Sequence, residues 1–213
     1  MNIYDARLKS NSSFIISGPS KSGKTTFVEK MIAKRNELFT KPFSCVLWFC
    51  AYPPKTKLDG VKYSIGLPTN QFNDIPSHAM VILDDFMSEL SQSNELTKLM
   101  TKAVHHLPMT LIYITQNLFQ AGKDVKTRRM NADYLVLFKN PHDRAQMDYI
   151  GRQMYPKDSK FLSSVYTEVT SHEPYSYLFL DFHQDTPDEI RVRSHITDKM
   201  VRVYTPQSIA LNI

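Results

Sequence analysis

Short apolar runs alternate along this chain with stretches in which apolar residues recur at helical spacing. The apolar runs predict buried strands at residues 13–17, 45–50, 80–84, 109–116 and 134–139. Strands that are apolar nearly throughout are covered on both faces, which is typical of a parallel sheet. The helical stretches follow the first and the third of these strands, over residues 24–36 and up to about residue 106, and at most a short strand is expected near Tyr63. This alternation predicts an α/β fold with a mostly parallel sheet.

The last third of the chain has a different pattern. It predicts two short helices and three strands, at residues 143–154, 159–171, 175–182, 190–193 and 201–204. These strands alternate apolar and polar residues, as antiparallel strands with one exposed face do. We therefore expect a C-terminal antiparallel β extension of the sheet, with Tyr175 and Tyr177 packed in it and not stacked on bases. Because no repeat or linker interrupts the chain, the sequence predicts a single domain over residues 1–213.

The composition is that of an ordinary globular protein. Of 213 residues, 42% are hydrophobic and 22% are charged, and the net charge is +5. That small excess permits weak attraction to nucleic acid and does not require it. The N-terminus has no apolar segment of signal-peptide length, and no stretch offers the about 20 predominantly apolar residues of a membrane span. We expect a soluble intracellular protein without membrane contact.

A glycine-containing loop follows the first strand at once. It fits the pattern G-x-x-x-x-G-K-[ST] at every fixed position, with the residues Gly18, Pro19, Ser20, Lys21, Ser22, Gly23, Lys24 and Thr25. A loop between a strand and a helix can turn successive N–H groups toward an anion, and the helix dipole adds to the attraction. Glycine at positions 18 and 23 lets the backbone turn sharply and approach phosphate closely. Residues 18–25 are therefore predicted to form a phosphate-binding loop (P-loop) for a nucleoside triphosphate.

The chemistry of the motif assigns individual roles within the loop. Lys24 should reach the β and γ phosphates, and the Thr25 hydroxyl should bind Mg²⁺. We add Thr26, the next residue of the predicted helix, to the nucleotide-binding residues. ATP is the expected nucleotide, because the sequence has no guanine-reading Asn-Lys-x-Asp run.

Two aspartates, Asp84 and Asp85, end the third apolar run. The carboxyl end of a strand in such a sheet faces the ligand crevice, so Asp84 would hold magnesium directly or through water. Asp85 would then act as the general base that polarises the attacking water. The alternative is a strand-ending turn in which an aspartate caps the following helix.

Gln116 ends the fourth strand and should emerge at the same edge of the sheet. Its amide can donate to the γ-phosphate and accept from a water, as a sensor does, although a polar strand end in a turn is the alternative. An arginine from a neighbouring subunit often neutralises charge in the transition state. Of the candidates Arg128, Arg129 and Arg144, we favour Arg144, because it follows the fifth strand at the active-site edge. A solvated surface arginine stays open for each of the three.

This ordered set of motifs resembles the FtsK/HerA-type ATPases. More closely, it resembles the compact genome-packaging ATPases of eukaryotic DNA viruses and polinton-like elements. The resemblance covers roughly residues 12 to 195. The segments that carry it are the P-loop, Leu83-Asp84-Asp85, Thr115-Gln116-Asn117, and residues 131–141 with Arg144 and residues 153–156 behind them.

The resemblance implies a RecA-like (ASCE) P-loop NTPase core that uses ATP and Mg²⁺. It also implies a homo-oligomeric ring that moves double-stranded DNA into a capsid, with capsid proteins as partners, in the nucleus or cytoplasm of a host cell or at assembling virions. The matched positions are Lys24 and Thr25 for Walker A, Asp84 and Asp85 for Walker B, Gln116 for the polar sensor and Arg144 near the arginine finger. Many bacterial members have Asp-Glu where this chain has two aspartates.

Two other classes of function stay open at this point. A P-loop nucleotide or nucleoside kinase has a similar size, but it would need a mobile lid with arginines, and Gln116 would have no role in it. A nucleotide-binding switch or structural protein with little hydrolysis would use the P-loop alone. Stimulation of ATP turnover by duplex DNA separates the motor from both.

Overall fold

The computed structural model describes residues 5–54, 56–67, 74–84, 86, 108–117, 132–141 and 144–206. The strands in these ranges are β1 Ser13–Ser17, β2 Val46–Cys50, β3 Val61–Ile65, β4 Met80–Asp84, β5 Thr110–Thr115, β6 Tyr134–Phe138, β7 Tyr177–Asp181, β8 Val192–Ser194 and β9 Arg202–Tyr204. The helices are α1 Lys24–Ala33, α2 Arg35–Leu38, α3 Arg144–Met154 and α4 Phe161–His172, with a 3-10 turn at Asp188–Ile190.

Within the described ranges, nine strands form one sheet in the order β3-β2-β4-β5-β1-β6-β7-β8-β9. The six strands from β3 to β6 in that order are parallel to one another. β7, β8 and β9 then continue the sheet as antiparallel neighbours. The predicted fold class is confirmed: a RecA-like α/β core with a mostly parallel sheet and a C-terminal antiparallel extension.

Each face of the sheet is covered by its own hydrophobic cluster, because successive side chains of a strand point to opposite faces. On β1, Phe14 and Ile16 join the cluster that contains Phe27 and Met31 of α1. Ile15 joins the opposite cluster, which contains residues of α3 and α4. The central strands are therefore buried on both sides, which is why their sequences are apolar throughout.

The first helix differs from the sequence-based expectation. It was expected to run over residues 24–36, but α1 ends at Ala33 and α2 begins at Arg35, because Lys34 has a non-helical ψ of 15°. The short strand expected near Tyr63 is present as β3, a parallel strand at the lateral edge of the sheet. The helix expected before residue 106 lies outside the described residues.

No helix in the described ranges is both long and apolar enough to cross a bilayer.

A buried ion pair joins the antiparallel extension to the N-terminal segment. The Arg193 guanidinium contacts the Asp181 carboxylate, and both side chains are at most 3% exposed. Arg193 Nη1 also donates to the Ala6 carbonyl oxygen at 2.8 Å. Burial lowers the pKa of Arg193, and the negative charge of Asp181 opposes that shift. The pair thus holds β7, β8 and the start of the chain together.

Removing this guanidinium would leave a carboxylate buried without its charge partner, which costs about 3–5 kcal/mol. We expect Arg193→Ala to lower the free energy of unfolding by that amount, measured by urea denaturation with circular dichroism. The matched control is Arg7→Ala, because Arg7 pairs with Asp5 where both side chains are more than half exposed and such pairs contribute little. Equal stability of Arg193→Ala and the unchanged protein would contradict the stabilising role of the buried ion pair.

Candidate functional site

The P-loop leaves the sheet at the end of β1 and enters α1. The Gly18 N–H donates to the Thr115 carbonyl oxygen at 3.3 Å, so the loop begins alongside β5. A Cβ at Gly18 would lie 2.6 Å from Cβ of Phe138, a distance that no side chain tolerates. Gly23 has a φ of 100°, in the left-handed region that glycine adopts without strain. Each of the two glycines is therefore required for a different reason. Position 18 has no room for a Cβ, and position 23 has a positive φ.

Lys24 folds back across the loop. Its ammonium donates to the carbonyl oxygens of Gly18 and Pro19 at 2.7 and 2.8 Å, and the residue is 8% exposed. In the same loop, Ser22 Oγ is buried without a hydrogen-bond partner among the described residues. Buried polar atoms are normally paired, and a bound phosphate oxygen would satisfy this hydroxyl. The loop therefore contains an ammonium group held by two hydrogen bonds and a buried hydroxyl group that can donate to an anion.

Parallel pairing brings two polar strand ends to this loop. Ser17, the last residue of β1, pairs with Thr115. Asp84, the last residue of β4, pairs with Ile114 on the other side of β5. Gln116 follows β5 directly. Asp84 and Gln116 thus lie at the same edge of the sheet as the P-loop.

A cleft of about 270 Å³ unites these groups. Its lining includes Lys24 and Thr25 of the P-loop, Asp84, Gln116 and, after β2, Tyr52. A carboxylate and a hydroxyl are hard oxygen donors of the kind that Mg²⁺ prefers. The donor set of Asp84 and Thr25 fits a magnesium ion in this cleft, which we call the metal cleft.

Cys50 also lines the metal cleft, at the end of β2. Burial raises the pKa of the Cys50 thiol, and the negative charge of Asp84 raises it further. Cys50 Sγ contacts the Ser64 carbonyl oxygen at 3.6 Å. The thiolate is the reactive form of cysteine, and both effects disfavour it, so Cys50 contributes to the wall of this cleft.

Several predicted residues cannot be placed. Asp85, Arg128 and Arg129 lie outside the described residues. Arg144 begins α3, which follows β6, but its side chain is not described. The roles of Asp85 as base and of Arg144 as finger therefore stay predictions.

Three aromatic rings support the P-loop from the side of β6 and β7. The ring of Phe27, in the first turns of α1, lies 4.5 Å from that of Tyr177 and 6.0 Å from that of Phe138, between centroids. Burial raises the pKa of the Tyr177 phenol to about 12. Tyr177 is 9% exposed, so its expected place in the packing of the sheet is confirmed.

The fold is similar to that of the genome-packaging NTPase B204 from Sulfolobus turreted icosahedral virus 2. The structure of that protein in complex with ATP-gammaS matches with a TM-score of 0.50 and 14% identity, covering 92% of this chain and 98% of that chain. Its sulfate complex matches with a TM-score of 0.50 and 11% identity, covering 95% and 98%. No protein-family profile and no curated protein matches the sequence.

The chain has a RecA-like P-loop NTPase fold. The structural likeness extends over nearly the whole of both chains, although few residues are identical. What the two proteins share is therefore the arrangement of the sheet and its helices.

A second cleft at the P-loop was not predicted from the sequence. It lies across β1 from Asp84 and is lined by Thr26, Phe138, Tyr175 and His195, among others. Tyr175 was expected to pack in the sheet, and this was wrong: β7 begins only at Tyr177, and Tyr175 is 70% exposed. The signal was Pro174 and Ser176 on either side of it, because both residue types favour turns.

We expect Lys24→Ala to weaken the binding of ATP by about tenfold to a hundredfold, since hydrogen bonds to charged groups contribute about 1.5–3 kcal/mol. The change also removes the two bonds that brace the loop. Isothermal titration calorimetry with ATP and Mg²⁺ measures the loss. Lys157→Ala, which removes an exposed lysine beyond α3, is the charge-matched control. Similar affinities for the two variants would contradict the phosphate-binding role of Lys24.

Proposed function

We propose that this chain is an ATP-hydrolysing motor that moves double-stranded DNA, and that it packages a viral genome into a capsid. The observation that carries the proposal is the meeting of the P-loop lysine with Asp84 and Gln116 in one cleft at the carboxyl edge of a RecA-like sheet. Ligands of open α/β sheets bind at this edge.

Four residues of the metal cleft, together with Asp85, have distinct roles in the proposed hydrolysis. Lys24 binds the β and γ phosphates, and main-chain N–H groups of the P-loop hold their remaining oxygens. Thr25 and Asp84 would hold Mg²⁺, which neutralises charge on the phosphates when bound. Gln116 orients the attacking water and reads the γ-phosphate. Asp85 accepts the proton that this water loses.

The motor function is supported by two independent likenesses. The sequence motifs resemble those of FtsK/HerA-type ATPases, and the fold resembles that of a protein described as a genome-packaging NTPase. The net charge of +5 is compatible with a polyanionic substrate. Under this proposal, Arg144 completes the site of a neighbouring subunit in a homo-oligomeric ring, and capsid proteins are further partners.

The first test is ATP turnover with and without duplex DNA, on samples whose oligomer mass is measured by light scattering. We expect DNA to stimulate turnover in a multimer larger than a dimer. DNA-independent transfer of phosphate to a small acceptor would indicate a kinase instead.

Asp85→Asn should keep ATP affinity and lose turnover by orders of magnitude under both conditions, because the general base is missing. Near-normal turnover of Asp85→Asn would refute its role as base.

The second test asks whether Arg144 acts across a subunit boundary. We expect Arg144→Ala to bind ATP normally and to hydrolyse it at least tenfold more slowly, since an arginine finger contributes about 10³–10⁵ in rate. Adding an excess of Lys24→Ala, which retains Arg144, should partly restore turnover in mixed rings. The control is Lys24→Ala alone, which should be inactive. If mixing restores nothing although the subunits co-assemble, Arg144 does not act in trans.

A further inference from the structure

Three clefts border the P-loop in the part of the chain that the structure describes, and Tyr175 lines two of them. Two of the three share Lys21, Lys24 and Thr25 in their linings. The metal cleft lies toward β4 and β5 and holds Asp84 and Gln116. The second cleft has a volume of about 520 Å³ and lies toward β6, β7 and β8. Because the sheet order puts β1 between these groups of strands, a nucleotide lying across the P-loop has one end in each cleft.

The residues that line each cleft indicate which part of the nucleotide binds there. The carboxylate of Asp84 and the hydroxyl of Thr25 would hold Mg²⁺, so the phosphates of the nucleotide lie in the metal cleft. The second cleft is richer in aromatic side chains, with Phe138, Tyr175 and Tyr177 in its wall. Pockets for organic groups are mostly apolar and aromatic, with few polar groups that set orientation. The second cleft therefore matches a nucleoside.

Tyr175 is the side chain of this cleft that is free to contact a ligand over its ring face. Phe138 and Tyr177 are 2% and 9% exposed, whereas Tyr175 is 70% exposed. Tyr175 also touches the P-loop, because a Cβ at Gly23 would lie 3.1 Å from Cβ and 3.3 Å from Cδ1 of Tyr175. The exposed ring thus stands directly beside the loop that binds the phosphates.

The backbone around Tyr175 holds the ring in this position at an energetic cost. Tyr175 has a φ of 63°, a backbone conformation that is unfavourable for a residue with a side chain. The hydroxyl of Ser176 lies 2.7 and 2.8 Å from the carbonyl oxygens of Val169 and Glu173 and so fixes the turn to the end of α4. Such strain persists where the surrounding structure maintains it, often at ligand sites.

Two polar side chains border the same cleft. Glu173 Oε2 lies 3.2 Å from His195 Nε2, and His195 is a second residue with a positive φ, of 58°. The Glu173 carboxylate can accept a hydrogen bond from an exocyclic amino group of the kind that adenine presents. The cleft thus offers one stacking surface and one acceptor.

We propose that the second cleft is the nucleoside subsite, in which the nucleobase stacks on the ring of Tyr175. This inference rests on the proposed function, since it requires a nucleotide in the P-loop. It assigns the base-binding role to the turn between α4 and β7 and leaves the chemistry to the metal cleft.

The experiment compares ATP with inorganic tripolyphosphate, which has the phosphates and lacks the nucleoside. Both are titrated with Mg²⁺ by calorimetry into the unchanged protein, Tyr175→Ala and Tyr175→Phe. Stacking on an aromatic side chain contributes about 1–3 kcal/mol per base, so we expect Tyr175→Ala to weaken ATP about tenfold. Tyr175→Phe should keep affinity within about twofold, because the ring remains. The affinity for tripolyphosphate should not change in either variant.

Tyr52→Ala is the matched control. Tyr52 is an equally exposed tyrosine, at 78%, and it lines the metal cleft. Any effect of its removal should therefore be the same for ATP and for tripolyphosphate. The difference between the two ligands, and not the loss of an exposed ring, is the signature of the nucleoside subsite.

The outcomes separate this inference from the proposed function. Equal loss of both ligands in Tyr175→Ala, or no loss of either, overturns the subsite while nucleotide binding stands. Binding of tripolyphosphate without any gain from the nucleoside of ATP overturns it in the same way. If the unchanged protein binds neither ligand, the proposed function fails, and the subsite fails with it.

A fluorescence measurement gives an independent answer. The chain contains one tryptophan, Trp48, which is 3% exposed and stacks on Tyr63. Tyr175→Trp therefore adds an exposed indole whose emission should be quenched by ATP and unaffected by tripolyphosphate. The unchanged protein supplies the Trp48 background. Emission of Tyr175→Trp that responds identically to both ligands would contradict base stacking.

Discussion

The parallel pairing of β1 with β5 and β6 determines where every other part of the site lies. Since all six parallel strands run in one direction, their carboxyl ends share one edge, and the P-loop, Asp84 and Gln116 reach that edge together. The register is specific: Ser17 pairs with Thr115, and Asp84 with Ile114. A slip by one residue would turn every apolar side chain of a strand to the wrong face. The hydrophobic core therefore maintains the geometry of the site.

A different set of polar residues lies at the other end of the parallel strands, where these strands begin. Ser12 Oγ lies 3.1 Å from His183 Nε2, and His183 Nδ1 lies 3.0 Å from Asp181 Oδ1. These are the residue types of a hydrolytic triad. Ser12, however, is 1% exposed, so no substrate reaches it, and Asp181 also contacts the buried guanidinium of Arg193. The network is structural, and it ties the antiparallel extension to the start of β1.

The parts of the fold that the sequence alone predicted are those whose residue types follow from one structural requirement, such as burial on both faces or a particular backbone conformation. The apolar runs of β1, β4, β5 and β6 are buried on both faces, so their composition admits only that interpretation. The P-loop was found because close packing at Gly18 and a positive φ at Gly23 leave no substitute. Asp84 and Gln116 followed from their places at strand ends, since parallel strands share an edge.

The remaining features depend on particular hydrogen bonds that the pattern of apolar residues does not reveal. The first helix breaks at Lys34, whose ammonium donates to the Thr197 carbonyl oxygen across the fold at 2.5 Å. Tyr175 and Tyr177 have the spacing of strand residues, yet only Tyr177 is in β7, because the Ser176 hydroxyl holds a turn against α4. Periodicity does not reveal such a turn, because it depends on where the end of α4 comes to lie.

The two clefts also differ in which part of the fold builds them. The polar groups of the metal cleft come from the P-loop and the ends of parallel strands, so the register that forms the core also positions these groups. The walls of the second cleft come from the P-loop, α1, β6, the turn after α4, the start of β7 and the residues that follow β8. Its outer wall belongs to the antiparallel extension, whose strands β8 and β9 have three residues each. If the second cleft holds the nucleoside, as proposed, changes in that extension can alter which nucleoside binds without changing the parallel strands that position the P-loop.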